Sequence, residues 1–142
     1  MSHSPLDEAL DALGGAGTAT VHGDGTTTDI DVTDVDRLGV KVREIRVHRE
    51  HPCDIVQEAR RLPEQLRALP ERVEPIEVDA SLGGARLRSA PQGEDREMIE
   101  VDLQAHSTTI RRTVREDDGG RSPQDFTLTR EQLERLVGQA GG

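Results

Sequence analysis

The sequence predicts an α+β fold: one domain over residues 1–142, with three helices and a mainly antiparallel sheet of about six to eight strands. Three observations predict it. Segments of apolar–polar alternation recur along the chain, as in half-buried strands. Short Gly- and Asp-rich turns join them, and strands joined so tightly must run antiparallel. Three other stretches switch to the 3.6-residue period, the central one carrying a proline that kinks it.

The first helix is read from "SPLDEALDALGG": Ser4 caps it, Pro5 suits its first position, Asp7 stands where a capping-box acid belongs, and Gly14 stops it. Leu6, Ala9, Leu10 and Leu13 make its apolar stripe. "GTATVHGDGTTTDIDV" follows as a hairpin turning at Gly23-Asp24-Gly25, and "TDVDRLG" reads as a connecting turn. "VKVREIRVH" is the strongest strand of this half, and its apolar parity shifts between Val42 and Ile45, which predicts either a bulge near Arg43-Glu44 or burial on both faces.

In "CDIVQEARRLPEQLRALPERV", Ile55, Ala59, Leu62, Leu66, Leu69 and Val73 share one helical face. That face keeps its phase across Pro63, so one kinked helix is expected. "IEVDASLGGARLRS" reads as a hairpin with a two-residue turn at Gly83-Gly84, which sets Ala80 opposite Leu87 and Asp79 opposite Arg88. "MIEVDLQAH" is a strand, "TTIRRTVRE" continues or pairs with it, "DDGGRSP" is a flexible turn and "DFTL" a last strand. "TREQLERLVGQA" ends the chain as a helix: Thr129 with Gln132 forms its capping box, and Leu133, Leu136, Val137 and Ala140 form its stripe. This order, with the size and acidity, is similar to that of acidic secretion chaperones. The likeness lies in element order alone and implies protein binding.

Composition narrows the function. The net charge is −10, and the chain has one Phe, no Tyr and no Trp. Nucleic acid and anionic membrane both require a basic surface, and single-strand binding also needs aromatic platforms. Neither partner is expected. The core must be aliphatic and thin, which favours homodimerisation as a supplement to burial. The single cysteine, the absence of an apolar stretch of about 20 residues and a start, "MSHSPLDEAL", without a signal-peptide pattern point to a cytoplasmic protein.

Chemistry-bearing residues crowd only in "VHREHPCDIV". His48, His51 and Cys53 could serve zinc, but a closed site needs four ligands and would have to recruit His22 or His106. Alternatively Cys53 is a nucleophile at a helix N-terminus, with His51 or His48 as its base. The plainer reading is a small buried hydrophobe. The helix boundary decides between them. A start at Pro52 puts Cys53 on the wet face beside Gln57 and Arg60, whereas Asp54 as N-cap lets it turn into the core.

Arg43, Arg46, Arg86, Arg88, Arg111, Arg112 and Arg115 recur on the predicted strands. They could cradle an anion, but acids are in excess, so cross-strand pairing with Glu77, Asp79, Glu100 and Asp102 is the favoured expectation. Asp29/Asp31 and Asp34/Asp36 lack EF-hand spacing, and no phosphate loop, G-x-S-x-G or H-E-x-x-H is present. The expectation is a small acidic cytoplasmic binding or adaptor module, non-catalytic and without cofactor or metal. It would act on a protein partner. The alternatives are a thiol-dependent enzyme using Cys53 with His51 or His48, and a zinc domain at the same cluster.

Overall fold

A computed structural model describes residues 4–140. The chain runs α1 (Pro5–Leu13), β1 (Gly17–His22), β2 (Thr26–Val35), β3 (Val40–Arg49), α2 (Ile55–Gln65), β4 (Val73–Asp79), β5 (Gly84–Ser89), β6 (Met98–Gln104), β7 (Ser107–Arg115), β8 (Arg121–Gln124), β9 (Phe126–Leu128) and α3 (Arg130–Ala140). Seven strands lie in the order β1-β2-β3-β7-β6-β5-β4; β8 pairs with β7 and β9 with β3. All the pairings are antiparallel. The fold is thus the expected α+β arrangement, its seven-strand path extended by two short strands.

One row of side chains explains how the sheet holds together. Ala19, Ile30, Ile45, Ile110, Val101 and Leu87 are cross-strand partners in succession on the inner face. None exceeds 1% exposure. Full burial of an aliphatic side chain contributes about 1.5–3 kcal/mol, so this row is the spine of the core. Leu6 and Leu10 of α1, Ala59 and Leu62 of α2, and Leu133 and Leu136 of α3 join the same apolar cluster. The Arg130 guanidinium bonds Asp7 at 2.9 Å, and the Ser4 hydroxyl donates to Glu134, so α3 is tied to α1.

The caps form as the residues dictate. Ser4 Oγ accepts from the Asp7 N–H at 3.0 Å, and Gly14 ends α1 with φ +66°, which a residue without Cβ adopts at least cost. Thr129 and Gln132 complete a reciprocal capping box at 2.9 and 3.0 Å. Leu133 and Leu136 are buried and Val137 packs against the core; Ala140, the fourth member expected on that stripe, has its side chain outside the described residues. The bulge expected near Arg43-Glu44 is present: Glu44 pairs with Asp31 and Val42 with Val32, which leaves Arg43 unmatched. There β3 divides, Val40–Val42 pairing with β9 and Glu44–His48 with β7.

Four local expectations are corrected. α2 passes through Pro63 but ends at Gln65, with Leu66 as its C-cap, instead of running to Val73; Pro70 bars that continuation, since it lacks an N–H and disfavours helical backbone at Leu69. Leu66, Leu69 and Val73 are nevertheless buried, so the apolar phase recorded burial beyond the helix itself. The β4–β5 turn is Ala80–Gly83, not Gly83-Gly84, and Asp79 faces Gly84 instead of Arg88. The Asp79 carboxylate captures the Ser81 and Leu82 N–H groups, both at 3.1 Å, and Gly83 supplies φ +72°. Arg121–Gln124 is a strand rather than a turn, since Pro123 is tolerated on an edge. β2 continues through Val35, with the turn at 36–39 held by Asp36. No described helix is long and apolar enough to cross a membrane, which says nothing of β-barrels.

Candidate functional site

With helices on one face, the other face of the sheet is left open, and its cross-strand rows are polar. One row reads Thr20, Asp29, Arg46, Thr109, Asp102, Arg86, Glu77 from β1 to β4. The next reads Thr18, Asp31, Glu44, Arg111, Glu100, Arg88, Glu74. From β3 to β4 acids and bases mostly alternate, as expected when opposite charges stabilise neighbouring strands, whereas at β2 Asp31 faces Glu44 directly. Towards β4 the face is hollowed into a concavity of about 640 Å³ lined by Glu44, Arg46, Glu77, Asp79, Leu82, Arg86, Asp102, Thr109 and Arg111 among others.

The arginines here are paired rather than poised. Arg111 bonds Asp102 at 2.6 Å, Arg86 approaches the same carboxylate at 3.5 Å, and Arg46 bonds Glu44 at 2.5 Å. The favoured cross-strand pairing is met in part: Arg111 and Arg86 pair across strands, Arg46 pairs with Glu44 on its own strand, and the ion pairs among the described residues include none to Arg88, Glu77 or Glu100. Of the four acids named for that role, Asp102 takes two of the arginines. Asp79 instead bonds the Ser81 hydroxyl and the Leu82 N–H, which hold its carboxyl below the usual carboxylate range.

Apolar groups are exposed along this edge. Ile76, Val78 and Leu82 are 51%, 43% and 83% exposed. A bulge between Pro75 and Glu77 breaks the alternation at Ile76, whereas Val78 keeps the helix side, opposite Ala85. Ile76 consequently lies with Arg86, Arg88, Glu100 and Asp102 on the open side.

Beneath this end, on the helix side, Arg112 bridges Glu71 and Glu97, each at 2.9 Å. Arg112 and Glu71 are largely buried, at 17% and 10% side-chain exposure. The Arg112 guanidinium, with Gln124, holds the Glu97 carboxyl below the ordinary range. This triad fastens the loop after α2 to β6 and β7.

The cluster singled out in the sequence is divided by the sheet. His48 lies on the open face, its Nε2 3.3 Å from Asp29. Asp54 is the α2 N-cap, accepting from the Gln57 N–H at 3.0 Å, so Cys53 precedes the helix. Cys53 is half-buried against the core, its thiol 3.7 Å from the Gln104 carbonyl. Its N–H donates to the Ala105 carbonyl, so the segment from Arg49 to Cys53 clasps the β6–β7 turn. His51 is exposed in that segment, and His106 sits at the turn with Nδ1 3.1 Å from the Arg49 carbonyl. His22 and His48 share a row but are separated by Thr27, about 10 Å across two strand spacings. Among the described residues, no three His, Cys, Asp or Glu side chains converge as metal ligands.

The hollow and the exposed apolar edge beside it were not visible in the sequence. Pro75 inside an alternating run was the available signal, since proline in a strand marks an edge or a bulge. Comparison with protein-family models, characterised proteins and solved structures finds no match to this chain.

Proposed function

We propose that this protein is a small acidic binding or adaptor module without catalytic activity, and that it docks a protein partner along β4 and the adjoining hollow. The observation that carries the reading is the placement of Ile76, Val78 and Leu82. Three of the five large exposed hydrophobics among the described residues gather at one sheet edge, beside a charged concavity. Exposed apolar side chains along an edge rimmed by charged groups are an ordinary composition for a protein-binding surface. The net charge and the acids Glu74, Glu77 and Asp79 at this edge favour a partner segment carrying basic residues. The position of Cys53, shielded from His48 by the sheet, lends no support to thiol chemistry. A cytoplasmic setting is kept as part of the proposal, on the single cysteine.

The test is affinity capture from the protein's own cells with wild type and two sets of variants. Leu82→Asp and Ile76→Asp should each reduce capture of a specific partner by about tenfold or more. Leu38→Asp, at an equally exposed leucine in the β2–β3 turn, should leave capture unchanged. Equal capture by all three variants would overturn the reading.

A further inference from the structure

We infer that the β1 edge of the sheet is a self-association surface, pairing antiparallel with the β1 edge of a second copy of this chain. An edge strand exposes backbone N–H and C=O groups, and proteins guard such edges with charge, proline, bulges, shortness or cover. The other edges carry these devices. β4 has Glu74, Pro75, Glu77, Asp79 and a bulge; β8 has Pro123; β9 is three residues long. β1 has none of them. Its sequence, GTATVH, contains no Asp, Glu, Lys, Arg or Pro, and its register with β2 is unbroken over all six residues.

The occupant follows from charge. A chain of net charge −10 repels its own copies over most of its surface, so they can meet only where acids are absent or neutralised. On β1 the outward side chains are Thr18, Thr20 and His22, and the two threonine hydroxyls donate to Asp31 at 3.1 Å and Asp29 at 2.8 Å. The nearest acids are thereby hydrogen-bonded one strand back from the edge. A two-fold axis normal to the sheet would set threonines against threonines, a favourable cross-strand pairing. The same axis brings α1 nearest its twin, and there Arg130 offsets the charge of Asp7 and Asp11 at 2.9 and 3.5 Å. The two seven-strand paths would then form one continuous sheet, with each β4 edge left at an outer end.

At most five paired residues on each strand and a flanking helix make less than a standard interface, so the dimer should dissociate in the micromolar range. Sedimentation equilibrium of the wild-type chain from about 5 to about 500 µM should therefore show a reversible monomer–dimer transition. Thr18→Lys/Thr20→Lys installs the guard that natural edges use and should weaken the dimer at least about tenfold. Glu77→Lys on β4 should leave it unchanged. In a Cys53→Ser background, Thr18→Cys and Thr20→Cys chains, alone and mixed, should form covalent dimers on mild oxidation, whereas Glu77→Cys should not. Circular dichroism of each variant confirms that the fold is kept. A wild-type chain that stays monomeric throughout overturns the inference, and so does a dimer indifferent to β1 but broken by substitutions on β4.

Discussion

At one end of the sheet, α1 lays Leu6 and Leu10 over β1, an uncharged edge in perfect register with β2; at the other, α2 packs on β4, β5 and β6, of which β4 is an edge bearing three acids, a proline and a bulge. The first end is held chiefly by apolar packing, with Arg130 tying α3 to Asp7 and Asp11 of α1, the second by packing together with the more deeply buried Arg112 triad. The contrast teaches how a thin aliphatic core divides its tasks. Where side chains fill the space, the edge strand can be regular and bare. Where the strand bends away, its apolar residues come to the surface, and an ion pair fastens the loop after α2.

The largest expected effect tests the packing half of this contrast. Leu10→Ala at the β1 end removes a side chain that is 1% exposed and should cost about 3 kcal/mol in urea unfolding. Ile76→Ala at the β4 end removes one that is half exposed and should change stability by no more than about 0.5 kcal/mol. Equal costs would show that β4 is buried in solution and that the two ends are alike.

Arg112→Leu probes the ionic half. It strands Glu71 and Glu97 without their cation, and breaking a buried pair costs about 3–5 kcal/mol. Because the triad keeps some solvent contact, the expected loss here is about 2 kcal/mol. Adding Glu71→Gln to Arg112→Leu should restore part of that loss, since the stranded buried charge then disappears. No recovery in the double variant would mean that the aliphatic stem of Arg112, not its charge, secures the loop.

These two ends were not equally legible in the sequence. The β1 end follows local rules: Ser4 and Gly14 bracket a helix of clear period, and Gly23-Asp24-Gly25 turns a hairpin whose alternation has one solution. At the β4 end local rules compete. The apolar phase of Leu66, Leu69 and Val73 predicts a helix running on past Pro63, yet it is met equally by the turn and strand in which those residues are buried. Glycines at 83 and 84 suggested a two-residue turn, but the Asp79 carboxylate, bonding Ser81 and Leu82, makes Ala80–Gly83 a four-residue turn. Asp79's partner thereby moves four residues, from Arg88 to Gly84, and the bulge before Glu77 displaces Ile76 from the face its alternation assigned. The helix start was the reverse case: two boundaries were framed, and Asp54 acting as cap turned Cys53 inward. The Arg112–Glu71–Glu97 triad had no sequence signal, because its members lie on three elements brought together only by the tertiary fold.

The smallest effect expected is in acid, and it should be shared by both ends. Asp7 is held below the ordinary carboxylate range chiefly by its bond to Arg130, at the β1 end. Asp79 is held down by the Ser81 hydroxyl, and Glu97 by Arg112, at the β4 end. Asp36 is lowered by the Gly39 and Leu38 N–H groups, in the turn between β2 and β3. A carboxyl whose folded value is depressed binds fewer protons folded than unfolded near its unfolded pKa of about 4. Its stabilisation is therefore complete above that value and is lost as pH falls through the folded value. Urea unfolding should give constant stability from these groups at neutral pH and a decline beginning near pH 4. Asp7→Asn and Glu97→Gln should each flatten that decline by less than about 1 kcal/mol, because both side chains are partly solvated. If Glu97→Gln alone flattens it, ionic support belongs to the β4 end alone, and the Arg130 bridge on α1 serves position more than stability.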